Sequence, residues 1–265
     1  MVGFDFVNSL VLSAVEYIKY LVSSKKRHGI HSPFIYDLSD KCLKISYSER
    51  EQQKLNSFSK LNRSNPESIA ITDHGAGSKR MSNERRVKDI YKNSSSKGKY
   101  GKLLYQLARH YKPKRILELG TSLGNGTLQF SLGNPDALIT TIEGCPETAR
   151  IAQNNFDSLE LQNIELINST FDDYFSNLND ASFDLVFIDG HHDGEALLRY
   201  LETITPFVHD DTIIILDDIR WSKSMLQAWH QIVSSENYNV SIDLFRVGII
   251  LRRSQQHKEH FTLRM

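Results

Sequence analysis

Arg115-Ile-Leu-Glu-Leu-Gly-Thr-Ser-Leu-Gly-Asn-Gly126 decides the fold of this chain. Ile116, Leu117 and Leu119 make a short apolar run, as in a strand buried on both faces, and the run leads directly into glycines. Gly120 and Gly124 let the backbone turn tightly beside a ligand. A helix that follows such a turn points free amide groups, and the positive end of its dipole, at that ligand. An open α/β sheet holds nucleotide-like molecules in this way, at the carboxyl end of its first strand.

The spacing narrows the ligand. A dinucleotide site requires G-x-G-x-x-G, whereas Ser122 stands at the second glycine position here and the pattern is G-x-x-x-G-x-G. Glu118, just before the turn, would repel a pyrophosphate. It suits a cofactor with a cationic head and a free amine, and S-adenosylmethionine has both. A second β-prone run, Leu138-Ile-Thr-Thr-Ile-Glu143, ends in an acid about twenty residues past the turn, where a ribose-binding carboxylate is expected.

Two further apolar runs end in acids. Phe183-Asp-Leu-Val-Phe-Ile-Asp189 is followed by Gly190, His191 and His192, and Thr212-Ile-Ile-Ile-Ile-Leu-Asp217 continues into Asp218. Four parallel strands would thus present polar groups on one rim of the sheet, where such folds bind ligands. Three carboxylates gathered there would repel one another unless a divalent cation joined them, and all-oxygen ligation suits Mg²⁺ or Mn²⁺. The alternative has Asp189 orienting the amine of the methionine or a substrate, and Asp217 or Asp218 capping the next helix. A neutral imidazole at this place makes a general base, with His191 preferred over His192 because it stands two residues beyond Asp189.

The segments Ile116–Gly124, Thr141-Ile-Glu-Gly-Cys-Pro146, Phe187-Ile-Asp-Gly-His-His192 and Leu216-Asp-Asp-Ile-Arg-Trp-Ser222 together resemble the motifs of class I S-adenosylmethionine-dependent methyltransferases. The resemblance is to the catechol O-methyltransferase-like group and the metal-dependent sugar and antibiotic O-methyltransferases, over roughly residues 98 to 253. It implies a Rossmann-like, seven-stranded, mostly parallel α/β sheet with a C-terminal antiparallel hairpin at Val240–Leu244 and Val247–Leu251. It implies cofactor contacts at Glu118, Gly120, Thr121, Ser122, Gly124, Glu143, Gly144, Phe171 and Asp189. It implies metal ligation by Asp189, Asp217 and Asp218, and methyl transfer to a hydroxyl of a small molecule. Two departures stand out: catechol-type enzymes carry Asp-Asn where Asp217-Asp218 stands, although the sugar-type relatives can carry Asp-Asp, and catechol-type enzymes use a lysine base near the fourth strand, in the neighbourhood of His191-His192. Metal-independent N- or protein methylation, or a non-catalytic module that binds the cofactor, are the alternatives.

The remainder of the chain limits the partners. Lys plus Arg and Asp plus Glu both number 32 among 265 residues, so net charge makes no case for nucleic acid. Two cysteines, Cys42 and Cys145, fit a reducing cytoplasm and no disulfide framework. Phe4, Val7, Val11, Val15, Ile18 and Val22 recur at helical spacing without reaching the length of a membrane span. They predict an amphipathic helix packed on the core or on a second subunit of a homo-oligomer. Ser32-Pro33 predicts a helix start running to about Leu43, while residues 47–67 read as an exposed connection. Asp73-His-Gly-Ala-Gly-Ser78 imitates a cofactor loop but lacks a helix pattern behind it, and reads as a turn or a lid. Helices are expected at about Gly101–Tyr111 and Lys223–Val233. The domain division is 1–97, a helical and lid region, and 98–265, the cofactor-binding domain. The acceptor pocket would be completed by residues 1–97 and by the loop with Trp221, with Phe34 and Tyr36 as further aromatic candidates; losing 1–97 would then harm turnover more than cofactor binding.

Overall fold

The structure is a computed structural model that describes residues 15–24, 32–43, 46–72, 83–94, 96–179 and 181–265. Phe4, Val7 and Val11 of the expected amphipathic stripe, and the whole Asp73–Ser78 loop, lie outside the described residues.

Residues 15–23 are helical (α1), but the buried face is not the apolar one. Glu16 and Tyr20 are buried, while Ile18 and Val22 are 61% and 83% exposed. Polar partners select this face. The Tyr20 hydroxyl donates to the Leu263 carbonyl, its ring lies 5.2 Å from that of Phe245, and Arg264 donates to the Leu21 carbonyl. Helix α2 (Pro33–Lys41) has Pro at its start as expected, with Ser32 at the N-cap position making no side-chain cap.

Residues 47–67 are not the exposed connection that composition suggests, because α3 (Glu49–Arg63) occupies most of them. A capping box starts it: the Ser48 hydroxyl accepts from the Glu51 amide, and the Ser48 amide donates to the Glu51 carboxylate at 2.6 Å. A narrow stripe of Leu55, Phe58 and Asn62, at i, i+3 and i+7, then seats the helix on Tyr91, Leu123, Ile151 and Leu159. Three residues in fifteen are too few to register in composition, yet enough to hold one face. An antiparallel hairpin follows, β1 (Ser68–Ile71) with β2 (Asn83–Arg86), and then α4 (Val87–Asn93) and α5 (Gly98–Tyr111).

The main sheet begins at β3 (Arg115–Leu119) and continues through β4 (Leu138–Glu143), β5 (Ile164–Asn168), β6 (Phe183–Ile188), β7 (Val208–Leu216), β8 (Val240–Asp243), β9 (Gly248–Leu251) and β10 (Glu259–Thr262). Between them lie α6 (Asn125–Gly133), α7 (Pro146–Ser158), α8 (Phe171–Ser176), α9 (Gly194–Ile204) and α10 (Lys223–Ser234). The spatial order is β10-β8-β9-β7-β6-β3-β4-β5, with β3 to β7 mutually parallel and β9 antiparallel to β7 and β8. The Rossmann-like sheet and the C-terminal hairpin are as expected, but among the described residues the main sheet has eight strands rather than seven. The extra one, β10, pairs parallel to β8 at the edge and buries only Phe261, so it carries no apolar run to betray it.

Strand alternation sorts the core into two layers. Ile116, Leu185, Phe187, Ile213 and Ile215 face one layer, and Leu117, Leu119, Val186, Ile188, Ile214 and Leu216 face the other. The first layer also contains Ile35, Leu38 and Cys42 of the α2 region, all fully buried, so the N-terminal segment shares the core of the sheet. Among the described residues, no helix is long and apolar enough to cross a membrane. Leu38→Ala is expected to destabilise the protein by about 2–5 kcal/mol in denaturant unfolding, against at most about 0.5 kcal/mol for Val22→Ala. Equal, small losses at both positions would show that α2 is not part of the cooperative core.

Candidate functional site

Parallel register aligns the strand ends. Leu119 pairs with Ile142 on one side and Ile188 on the other, and Ile188 pairs with Leu216. Gly120, Glu143, Asp189 and Asp217 therefore emerge at one level. Gly120 has φ of +102°, and a Cβ there would stand 2.2 Å from the carbonyl oxygen of Asp189, so only glycine lets β3 turn this close to the end of β6. Ser122, His191 and Asp218 also hold left-handed backbone, with φ of 49°, 61° and 51°. Three non-glycine residues in this conformation on one rim mark a place where the surrounding structure imposes local strain.

A cavity of about 860 Å³ opens above the turn. Among the expected cofactor contacts, Gly120, Ser122, Glu143, Gly144, Phe171 and Asp189 line it, as do both histidines. The Glu143 carboxylate is oriented from below: one oxygen accepts from the Ser122 amide at 2.8 Å and the other from the Cys145 amide at 2.9 Å.

Glu118, Thr121 and Gly124 do not line the cavity. Glu118 is 1% exposed, and its carboxyl accepts from the Thr127 and Thr141 hydroxyls. Thr121 is likewise buried, its hydroxyl 2.6 Å from that of Thr141. The expectation that Glu118 touches the cofactor is thus corrected. Its side chain points into the sheet, under α6, where a Cβ on Gly126 would come within 2.3 Å of its oxygen.

The expected metal ligands do not form a site. Asp217 and Asp218 both face Arg246, whose Nε lies 2.7 Å from Asp218 Oδ1 and 3.4 Å from Asp217 Oδ1. Arg246 Nη2 donates to Asp218 Oδ2 at 3.1 Å, and Asp189 Oδ2 accepts from the Ser96 hydroxyl at 3.2 Å. Among the described residues, no group of three Asp, Glu, His or Cys could hold a metal ion. The like-charge conflict foreseen between the carboxylates is real, but a guanidinium resolves it. Burial and the Asp217 charge push Asp218 upward, with Arg246 and His192 opposing. The helix-capping alternative fails as well, because Ser222 caps α10.

The two histidines are held differently. His191 stacks on Tyr200 with its Nδ1 against the Tyr200 hydroxyl, and meets Phe171 edge-on. His192 Nε2 lies 3.9 Å from Asp218 Oδ2, and its ring sits 5.4 Å from Trp221, which is 65% exposed. Phe34 is elsewhere, packed on Tyr111 and under Arg253, and neither Phe34 nor Tyr36 lines the cavity. Sequence reasoning missed Ile71, Thr72, Arg85 and Ile90, which close the cavity from the N-terminal hairpin and α4. The hairpin is fastened there through Cys145, whose thiol lies 3.4 Å from both the Ala70 carbonyl and the Thr72 amide. Arg85 gave no signal because Lys79–Arg86 shows no helical or strand periodicity.

Residues 117–219 match a family model described as a methyltransferase domain. A provisionally named O-methyltransferase of Mycobacterium sp. strain JLS is 38% identical over 93 residues, covering 34% of this chain and 42% of the relative. A catechol O-methyltransferase of Mycobacterium tuberculosis is 29% identical over 121 residues, covering 45% of this chain and 54% of the relative. The chain therefore spans about half, or less, of the curated relatives it matches. Among solved structures, an O-methyltransferase from Bacillus cereus in complex with S-adenosylhomocysteine superposes with a TM-score of 0.53 at 16% identity, over 82% of this chain and 97% of that one. An S-adenosylhomocysteine-bound methyltransferase of Podospora anserina gives 0.54 at 20% identity, over 79% and 98%. Residues 117–219 are thus similar to a methyltransferase domain, and the main sheet shares the fold of these solved methyltransferases.

Glu118 makes this domain pH-sensitive. Burial raises its carboxyl from the ordinary 4.5 to about 7, the Thr127 and Thr141 hydrogen bonds oppose the rise, and the Glu143 charge adds to it. The folded chain then binds more protons than the unfolded chain between these two values, so stability falls as pH rises across that window and stays lower above it. The full effect is about 3 kcal/mol. Glu118→Gln removes the titration, and its stability is expected to gain on the wild type progressively from pH 4.5 to 7 in thermal melts. Parallel stability curves for the two proteins would refute the shift.

Proposed function

We propose that the chain methylates a hydroxyl of a small molecule, using S-adenosylmethionine. The carrying observation is the Glu143 carboxylate, oriented by the Ser122 and Cys145 amides on the wall of a cavity that also receives Asp189, His191 and His192. When bound, S-adenosylmethionine supplies an electrophilic methyl group on a sulfonium sulfur.

The residues present fit that cofactor. Glu143 would accept from the two ribose hydroxyls. Gly120 brings bare backbone to the cavity wall, and Phe171 gives an apolar surface for the base. Asp189, beside the Gly120 turn, would hold the amine. The cavity, at about 860 Å³, lies within the range of small-molecule sites and leaves room for an acceptor beside the cofactor.

His192 is the better-supported base. Asp218 stands behind its Nε2 and would stabilise the imidazolium formed when the acceptor hydroxyl gives up its proton. His191, first in line from spacing, is instead held by Tyr200 and would orient the acceptor. No lysine is among the described residues that line the cavity. Mg²⁺ or Mn²⁺, implied by the resemblance to catechol-type enzymes, does not fit the carboxylates as arranged, and the reading assigns it no step. The O-methyltransferase names of the mycobacterial relatives support hydroxyl over amine acceptors.

Calorimetry is expected to show binding of S-adenosylmethionine and S-adenosylhomocysteine, with NAD and FAD silent. Glu143→Ala should weaken that binding by about 1–3 kcal/mol. NAD binding with the adenosyl compounds silent would sink the reading. In a screen of phenols, catechols, sugar derivatives and amines, His192→Ala should lower kcat roughly 10²- to 10⁴-fold while leaving S-adenosylhomocysteine affinity unchanged. Because Ile71 and Arg85 line the cavity, deleting residues 1–97 is expected to remove cofactor binding together with turnover. Intact cofactor affinity in the truncated protein would return those residues to a separate, acceptor-binding role.

A further inference from the structure

We propose that the Arg246 guanidinium is the resident cation of the acidic rim, standing where the catechol-type resemblance implies a divalent metal and fixing the Asp218 carboxylate that backs His192. The part played by His192 rests on the methyl-transfer reading; the cation assignment does not.

Arg246 is built into its place at both ends. It lies in the turn between β8 and β9, where its amide donates to the Leu244 carbonyl at 3.0 Å. Its own carbonyl accepts from the Ile219 amide at 2.9 Å, which ties the turn to the residue immediately after Asp218. The turn is braced again by Asp243, which accepts from the Phe245 amide at 2.8 Å and binds Arg220 through both oxygens at 2.9 and 2.6 Å. Arg220 also donates to the Phe245 carbonyl at 2.6 Å. At the other end the guanidinium carbon lies 5.6 Å from the centre of the Tyr100 ring, on a half-buried side chain.

The charges leave no ordinary alternative. Asp217 is almost wholly buried and Asp218 nearly so, and two adjacent buried carboxylates need a counter-charge. Burial works against the charge on Arg246, but Asp217, Asp218 and Asp189 outweigh it and hold the guanidinium protonated. A guanidinium does not deprotonate in a protein, so a divalent cation entering here would meet a fixed positive charge and would have to displace it from both carboxylates. The two cations also differ chemically. A metal can bind an acceptor oxygen and acidify it, whereas a guanidinium donates hydrogen bonds and neutralises charge. Deprotonation of the acceptor then falls to a protein base, and Asp218 joins Arg246 to His192.

The test is a titration with Mn²⁺ alone, followed by electron paramagnetic resonance, on the full chain and on Arg246→Met, which keeps the stem over Tyr100. The wild type is expected to leave the free Mn²⁺ signal undiminished. Arg246→Met should bind Mn²⁺ at least roughly tenfold more tightly, because the opposing charge is gone. Adding Asp217→Asn to that variant should abolish the gain. Should Arg246→Met not fold, as judged by its thermal melt, Arg246→Gln and Arg246→Lys replace it, with gain expected in the first and none in the second. Mn²⁺ bound by the wild type would overturn the proposal, because the metal would then coexist with or displace the arginine. A folded, charge-neutral variant that gains no Mn²⁺ would also overturn it, since the carboxylates would then not gather around a cation. Calorimetry with S-adenosylhomocysteine on the same samples keeps the two readings apart: failure there concerns the cofactor site, and failure in the Mn²⁺ titration concerns Arg246.

Discussion

The rest of the molecule depends on β3 being flanked in parallel register by β4 and β6. That register brings the ends of the strands to a common level and forces the turn after Leu119 to pass the end of β6 at backbone contact distance. Every feature of the candidate site follows from this crowding. Gly120 is required by the approach of Asp189, the left-handed residues Ser122, His191 and Asp218 sit around it, and the cavity opens beside it.

Five acids at or under this rim are compensated by four different means. Glu118 is surrounded by the sheet and helix α6, where the Thr127 and Thr141 hydroxyls donate to it and burial, pushing its carboxyl up to about 7, favours the proton. Glu143 has two backbone amides, Asp189 has the Ser96 hydroxyl, and the Asp217–Asp218 pair has a guanidinium. The difference is one of surroundings. A carboxylate at the cavity wall lies within reach of a ligand, while one enclosed by the fold needs an internal partner. This sorts the acids into Glu143 and Asp189, available to the cavity, and Glu118, Asp217 and Asp218, which support it.

The N-terminal segment is joined to the site in two places. Cys145 fastens β1 where the hairpin closes the cavity, and Glu16 on α1 lies 3.9 Å from Arg220, the residue that braces the turn carrying Arg246. Helix α2 meanwhile contributes fully buried side chains to the sheet's own core. These contacts make the segment part of the wall and of its foundation.

The sequence by itself determined the elements whose signal is local: the buried strands from their apolar runs, the glycine turn from its spacing, Glu143 and the Asp-Gly-His-His rim from their places at strand ends. Helix α3 was as local, through its capping box and narrow stripe, and was hidden only by polar composition. What the tertiary structure decided is pairing across the chain. Nothing near Arg246 in sequence connects it to Asp217, 29 residues away, because the link needs β9 to return antiparallel beside β7. The same holds for Arg85 at the cavity, for the polar face by which α1 docks, and for Glu118, whose inward orientation depends on α6 lying across it. Periodicity and spacing report which face of an element prefers burial. Which charge meets which is set by the packing of distant elements, and at this rim that meeting separates the acids that can hold a ligand from those the fold has already neutralised.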